Sequence, residues 1–396
     1  MTSSGRPPGE EEDPHHAGEG DYERSGATLH SAPPLLGVLA SPLRVEARLI
    51  ELTPFGRFRA AGRRVVEDVD GPTEFLPLSL ERQLAGGPPV PDEARAGQAW
   101  VETVANAIAK LTFGLRGGKP RVGLCLDAKL DAGGRRVDAV EGGARVQDFV
   151  DQLETALRGR NIDLATPIGR AYTLGEAWTL GEQRSALGGL AGVPEALVLV
   201  WDRSVSWTRV ARGRVIQSAA EPRGGSHDFG LLFLDDAQSL RTARARRVFV
   251  AARSGDKDAS ELLTAAALAL GREAARRLFE WPVADHRLHP DPPPDADRIL
   301  LAGLVGRQAS DERLRSVLLD PFTEGLARGL AEREDAARER GLLVPLDGLD
   351  PAPDFVLEVG SLRLALAPGL LQISQEDAAA TIGAATTVAS ATSISP

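Results

Sequence analysis

Between Pro167 and Asp236 the chain follows an order of elements that few architectures accommodate. IGRAYTLGEAWTLGEQRSALGGLAG carries a helical period, and VPEALVLVWDRSVSWTRVARGRVIQS follows as two β-branched and aromatic runs. AAEPRGGSHDFGLLFLDD then adds a glycine-bearing loop and a further apolar run. Arg212-Gly213 and Gly224-Gly225 punctuate these segments, as turn residues do. The spacing predicts helix, strand, tight turn, strand, loop and strand in succession.

With 396 residues there is room for two ordinary domains, each with a core of its own. The 42% apolar and 26% charged composition is that of a globular chain, and no apolar run approaches the roughly 20 residues that span a bilayer. The opening MTSSGRPPGEEEDPHH is acidic and polar, unlike a signal peptide or lipidation site, so a cytoplasmic location without membrane attachment is expected. A net charge of −10 weighs against a nucleic-acid partner, because binding to phosphates needs a basic surface. Half of that charge lies in residues 1–34, where seven acids face two bases; this arm is too polar to offset its ordering entropy and is expected to be disordered.

Cys125 is the only cysteine, which excludes an intramolecular disulfide; its setting in VGLCL reads as a buried structural thiol. His286 and His289 precede the Pro-rich DPPPD and read as solvated loop imidazoles, with no metal site expected. LLGVLASPLRVEARLIEL reads as two strands broken at Ser41-Pro42, with TPFGRF turning into a third. Val101, Val104, Ile108, Leu111 and Leu115 recur on one helical face, RVGLCLDA follows as a buried strand, and Val146, Phe149, Val150, Leu153 and Leu157 resume the helical period. Helix alternating with strand favours a sheet covered by helices. Residues 259–280 read as an Ala- and Leu-rich helix, ADRILLAGLVGRQ as a strand and loop, and SDERLRSVLLDPFTEGLARGL as a further helix. Phe355 to Leu371 is expected to form a closing helix, and the Ala-, Thr- and Ser-rich tail from Ser374 to be disordered. The motifs GxxxxGK[ST], GxGxxG after a strand, HExxH and GxSxG are all missing.

The order of elements over residues 35–372, with LGEA at Leu174 to Ala177 and the segment ADRILLAGLVGRQ, resembles the ROK family of sugar kinases and repressors in the actin-like ATPase superfamily. The resemblance implies an α/β fold of two actin-like (ribonuclease H-like) lobes with an interlobe cleft. It divides the chain into the acidic arm 1–34, an N-terminal lobe 35–168, a C-terminal lobe 169–354, the closing helix 355–373 packed back on a lobe, and the disordered tail 374–396. A homodimer of the family's type is implied as well.

The chemistry that the family carries is largely substituted. The first hairpin of these kinases holds an Asp-x-Gly-Gly-Thr phosphate loop; here Leu39, Ala40, Ser41, Pro42 and Leu43 stand there, and proline removes an N–H donor where donors are needed. The sugar-binding Pro-Asn pair is missing from AVEGGARVQDF, which leaves Glu141 as its stand-in. Arg170 aligns with the catalytic Asp, and a guanidinium cannot act as a base; it reads either as a solvated first-turn residue or as an anion-binding group. The second phosphate hairpin is WDRSVSW, without glycine, and Trp201 and Trp207 either pack on the lobe or stack on a ligand. Asp228 takes the position of a sugar-binding acid, while Leu231 replaces its histidine companion. Gly303 and Gly306 survive on the adenosine side, where Ala302 and Leu304 replace glycines.

Phosphate cradle, metal support and base are thus all replaced, which implies a catalytically degenerate homologue (a pseudokinase) acting as a binding, regulatory or assembly module for a sugar or protein partner, with no cofactor. An active hexose kinase using ATP and Mg would have to recruit Asp228, Asp202 or Glu176. A third reading, an anion or nucleic-acid binder, would use Arg241, Arg244, Arg246 and Arg247, which otherwise form a solvated face. The repressors of the family carry a winged helix-turn-helix ahead of the kinase-like part, and the acidic arm 1–34 leaves no room for one, so DNA binding is not expected.

Overall fold

A computed structural model of the protein describes residues 33–41, 44–69, 93–115, 118–139, 146–201, 205–216, 242–279, 297–303, 311–348 and 355–389. The first half contains β1 (Leu35–Ala40), β2 (Arg44–Leu52), β3 (Phe58–Asp68), α1 (Glu93–Thr112), β4 (Arg121–Leu126), β5 (Lys129–Leu130), β6 (Val137–Ala139), α2 (Phe149–Gly159), β7 (Ala171–Thr173) and α3 (Leu174–Arg184). The second contains β8 (Ala196–Trp201), β9 (Val205–Ala211), β10 (Arg214–Ile216), α4 (Thr242–Arg253), α5 (Lys257–Phe279), β11 (Arg298–Ala302), α6 (Glu312–Ala331) and α7 (Glu334–Glu339). It closes with β12 (Leu343–Pro345), β13 (Val356–Val359), β14 (Leu362–Leu366), β15 (Leu371–Ile373) and α8 (Ala379–Ala389).

One plan is used twice. The two principal sheets have the orders β3-β2-β1-β4-β7 and β10-β9-β8-β11-β15. In each, an antiparallel three-stranded meander is extended by two parallel strands on the far side of its first strand. This is the pair of ribonuclease H-like lobes expected from the sequence.

Strand alternation assigns the faces. In the first sheet Leu36, Val38 and Ala40 of β1 and Val122, Leu124 and Leu126 of β4 share a core with Trp100, Ile108 and Phe149 of α1 and α2. Trp100 meets Phe149 edge-on, with ring centroids 4.8 Å apart. In the second sheet Leu197, Leu199 and Trp201 of β8 and Ile299 and Leu301 of β11 share a core with α5 and α6. The remaining faces look toward one common layer: Cys125 from the first sheet and Ala196, Val198, Val200, Leu300 and Ala302 from the second pack with Trp178 of α3 and Ala380 and Ala384 of α8. Burial pushes the Cys125 thiol well up from its ordinary range, in keeping with a structural role.

α8 touches backbone on both sides. A Cβ on Gly37 or Gly123 would lie 1.9 Å from the carbonyl oxygen of Thr381 or Ala384. On the other side, a Cβ on Gly383 would lie 1.7 Å from the Ala177 oxygen of α3. These contacts require glycine for space and not for conformation.

Three expectations need correction. Phe355 to Leu371 forms no closing helix: β13 and β14 make a hairpin in a three-stranded sheet with β12, and β15 joins the second large sheet. Gly360 and Gly369, both at positive φ, break any helical run, and Leu357 pairs with Leu364 across the hairpin. The tail from Ser374 is not disordered throughout, because Ala379–Ala389 form α8; its small side chains, read as too poor to fold, are what a helix squeezed between two layers needs. The helix that packs back on a lobe therefore exists, but later in the chain. Finally, the first sheet continues past residue 168, since β7 pairs in parallel with β4. The acidic arm lies outside the described residues, apart from Pro33 and Pro34.

Two buried carboxylates tie α3 to the segment entering α8. Glu182 accepts from the Gly189 N–H at 2.7 Å and from the Ser374 hydroxyl, to which Trp178 Nε1 also donates at 3.4 Å. The Ser185 hydroxyl donates to Glu376, whose other oxygen takes the Ala378 N–H at 3.0 Å. Burial pushes the Glu182 carboxyl up from its ordinary range, outweighing the bonds from Ser374 and Gly189 that favour its charged form, with Glu376 adding repulsion.

The α8 crossing predicts that Gly123→Ala lowers stability by about 3 kcal/mol, as backbone cannot yield the way a side-chain tip does. Gly62→Ala, where nothing lies within 4 Å, should stay within about 0.5 kcal/mol in the same denaturant titration. For Glu182, a raised folded pKa means that the carboxyl favours folding when protonated and opposes it as pH climbs through that value. Glu182→Gln should therefore raise the melting temperature at pH 7 to 8, with the gain shrinking as pH falls toward about 4.5, the ordinary glutamate value. An equal gain at every pH would show that the charge is not the cause.

Candidate functional site

The site is built outward from the amino end of α3. Thr173 caps this helix, its hydroxyl accepting from the Glu176 N–H at 3.4 Å, while the Glu176 carboxylate accepts from the Thr173 N–H at 3.0 Å and hydroxyl at 3.2 Å. Glu176, one of the acids an active kinase could recruit, is thereby committed to capping. Arg170 is not a first-turn residue, for it precedes β7. Its guanidinium lies 4.1 Å over the Tyr172 ring and 3.8 Å from Glu176, half-buried.

At the first hairpin, where a phosphate loop was expected, the chain turns on itself. The Ser41 N–H donates to the Arg44 oxygen at 2.9 Å and the Arg44 N–H to the Ser41 oxygen at 3.2 Å. The Ser41 hydroxyl also donates to the Arg44 oxygen at 2.9 Å and accepts from the Arg44 N–H at 3.1 Å. Both backbone donors are used inside the turn, and Pro42, between them in sequence, has none.

The second hairpin is equally tight. Trp201 pairs with Val205, so only Asp202, Arg203 and Ser204 join β8 to β9. Both bracketing indoles are buried in the core of the second lobe, and Arg277 lies 4.8 Å over the Trp207 ring. Their side chains pack on the lobe and are not presented for stacking. Gly303 turns away from β11 at φ 83°, and a Cβ there would sit 2.7 Å from the Trp201 oxygen. Its glycine character is explained by the Trp201 backbone beside it. Among the described residues, the Ser41 and Arg44 N–H groups are already spent inside the first turn, whereas a phosphate-binding loop keeps several backbone N–H groups unspent.

Glu141, Asp202, Asp228, Gly306 and the side chains of Arg241, Arg244, Arg246 and Arg247 lie outside the described residues. Arg253, just beyond that cluster, pairs with Asp311. Among the described residues, no group of three or more His, Cys, Asp or Glu side chains is arranged to hold a metal ion. No helix among them is long and apolar enough to cross a membrane.

The structure adds a groove that the sequence did not single out. A cavity of about 310 Å³ runs beside α3, bounded by Arg170 and Tyr172 before and on β7, Arg184 at the end of α3, Arg214 on β10, and Thr386 and Thr387 on α8. Sequence reasoning found Arg170 alone among these. Arg184 and Arg214 are 30 residues apart, and the two threonines sit in the segment read as a tail.

Neither a family model nor a curated protein matches the sequence. Solved structures do match. The ROK family glucokinase from Streptomyces griseus, in complex with glucose and AMPPNP, aligns over 90% of this chain and 99% of its own at 13% identity and a TM-score of 0.50. The ROK hexokinase from Thermus thermophilus aligns over 91% and 99% at 18% identity and 0.47. The inorganic polyphosphate/ATP-glucomannokinase from an Arthrobacter species covers the same shares at 14% identity and 0.45. At such identities the Streptomyces griseus comparison speaks to architecture, and it assigns this chain the two-lobed, actin-like α/β fold of a ROK sugar kinase.

Proposed function

We propose that this chain is a divergent member of the ROK family that no longer transfers phosphoryl groups and works in the cytoplasm as a binding or regulatory module, assembled as a homodimer of the family's kind. The observation that carries the proposal is the Ser41–Arg44 turn, whose backbone donors close on each other where ATP phosphates would need them. Two further features support it. Arg170, aligned with the expected base, is a guanidinium held over Tyr172, and Gly303 is packed against the Trp201 backbone. Phosphoryl transfer depends on positioning and charge stabilisation, so replacing the cradle and the base together removes most of what an enzyme of this kind contributes.

An active sugar kinase is the competing reading, favoured by the likeness to a glucokinase in complex with glucose and AMPPNP. Since Glu176 is taken by the helix cap, such a kinase would have to rely on Asp228 or Asp202.

The two readings diverge in one assay. With MgATP and a panel of hexoses, the purified protein should release no ADP above the protein-free blank, and calorimetry should show no heat of nucleotide binding. Hexose-dependent ADP release, abolished by Asp228→Asn or Asp202→Asn, would establish the kinase instead.

A further inference from the structure

The groove beside α3 carries an excess of positive charge among its described lining residues. Three guanidinium groups, Arg170, Arg184 and Arg214, face it from three different stretches of chain, against the single carboxylate of Glu176. Arg170 is engaged by Glu176 and Tyr172, so the surplus positive charge is that of Arg184 and Arg214. Arg184 and Arg214 are exposed and have no carboxylate partner among the described residues.

The walls are fixed. Gln183 Nε2 donates to the Gly213 oxygen at 3.2 Å and the Gly213 N–H donates to the Pro194 oxygen at 2.8 Å, which holds the β9–β10 turn and Arg214 against α3. Arg170 is oriented by the ring beneath it and by Glu176. On the remaining side the Thr387 hydroxyl donates to the Ala384 carbonyl of its own helix at 2.7 Å, which leaves its oxygen lone pairs to accept from a ligand. Leu180 and Val215 supply apolar surface between these polar ends.

We propose that this groove binds a small phosphate monoester with a hydroxylated body. A phosphate monoester carries about −1.5 to −2 at neutral pH and matches the two surplus positive charges, whereas a monocarboxylate matches one. Guanidinium forks suit its several oxygens. The Thr387 oxygen accepts from a hydroxyl group on the body, and about 310 Å³ is the small end of ligand cavities, suited to a monosaccharide-sized molecule. The groove includes the β9–β10 turn, at the opposite end of β9 from the β8–β9 hairpin; it lies away from that hairpin and meets the aligned position of the family's base at Arg170 alone. Binding here does not depend on whether the chain transfers phosphoryl groups.

Calorimetry without nucleotide tests this, using a hexose 6-phosphate, glycerol 3-phosphate, inorganic phosphate and the free hexose as titrants. The phosphate monoesters should bind saturably, and affinity should fall as salt is raised. Arg184→Gln and Arg214→Gln should each weaken binding by about tenfold or more, the usual worth of a hydrogen bond to a charged group. Arg158→Gln, on an exposed face of α2, should leave it unchanged. Equal affinity for inorganic phosphate would show that the hydroxylated body adds nothing and would overturn the proposal in favour of a site for the free ion. Free hexose binding as tightly as its phosphate, no binding of any anion at millimolar concentration, or full affinity in the Arg184→Gln/Arg214→Gln double variant would overturn the proposal. Because both arginines are exposed, an unchanged melting temperature separates loss of binding from loss of fold. ADP release in the kinase assay would refute the function proposed above and leave this result standing.

Discussion

The architecture depends on backbone touching backbone at both faces of α8. Gly37 and Gly123 let the first sheet approach Thr381 and Ala384 to the point where no β-carbon fits, and Gly383 lets α3 do the same from the other side. A helix of ordinary side chains would hold its neighbours about 8 to 10 Å from its axis. The small residues of AATIGAATTVA remove that spacing, so one thin layer closes the inner faces of two sheets at once. Close packing of this kind gains dispersion contacts along the whole crossing, and it forbids a single added methyl, because interiors are already at crystal-like density.

That constraint fixes α3, and α3 in turn fixes what surrounds it. Gly181 lies against the Ala379 carbonyl and Thr208 and Ser206 lie over Gly175, so the helix has little freedom to shift along or around its axis. Its carboxyl end is bound through Glu182 and Ser185 to Ser374 and Glu376, and its amino end is closed by a capping box. The groove walls, β7, β10 and the last turns of α8, are all elements that α3 or its partners hold in place. Such supports fix the backbone positions from which the charged side chains reach, and Arg170 alone among the arginines is also held by neighbours, Tyr172 and Glu176.

Most of this was legible where side chains carry a period. The alternation of Leu36, Val38 and Ala40 and the helical spacing of Val101, Val104, Ile108 and Leu111 announce β1 and α1 because one face of each is buried against large neighbours. α8 gave no such signal: it is enclosed all round by small residues, so no polar face marks its period. The stretch after Phe355 misled in the opposite way, since Leu357, Leu364 and Leu371 recur every seven residues as on a helical face, and only Gly360 and Gly369 argue for the hairpin. The site divides along the same line. Arg170 was found because it aligns with a known motif, whereas Arg184 and Arg214 meet through the Gln183–Gly213 bond and Thr386 and Thr387 join them through the α8 crossing, neither of which sequence spacing can foresee.

The two hairpin turns stand apart from that crossing, and this separates the fate of the fold from the fate of the chemistry. A loop that wraps phosphate keeps N–H groups unsatisfied until its ligand arrives, and each unpaired donor costs free energy in the unliganded protein. In the Ser41–Arg44 turn the N–H groups of both flanking residues are already paired, so those two carry no such cost. Trp201 extends the argument to the second hairpin: its ring fills the core beneath α5 and α6, and its carbonyl occupies the space beside Gly303. Both hairpins are thus fixed at their flanks, by the Ser41–Arg44 bonds and by the Trp201–Val205 pairing. On the reading proposed above, the replaced chemistry sits at the hairpin ends, while the groove walls on α3, β10 and α8 are held by the central crossing.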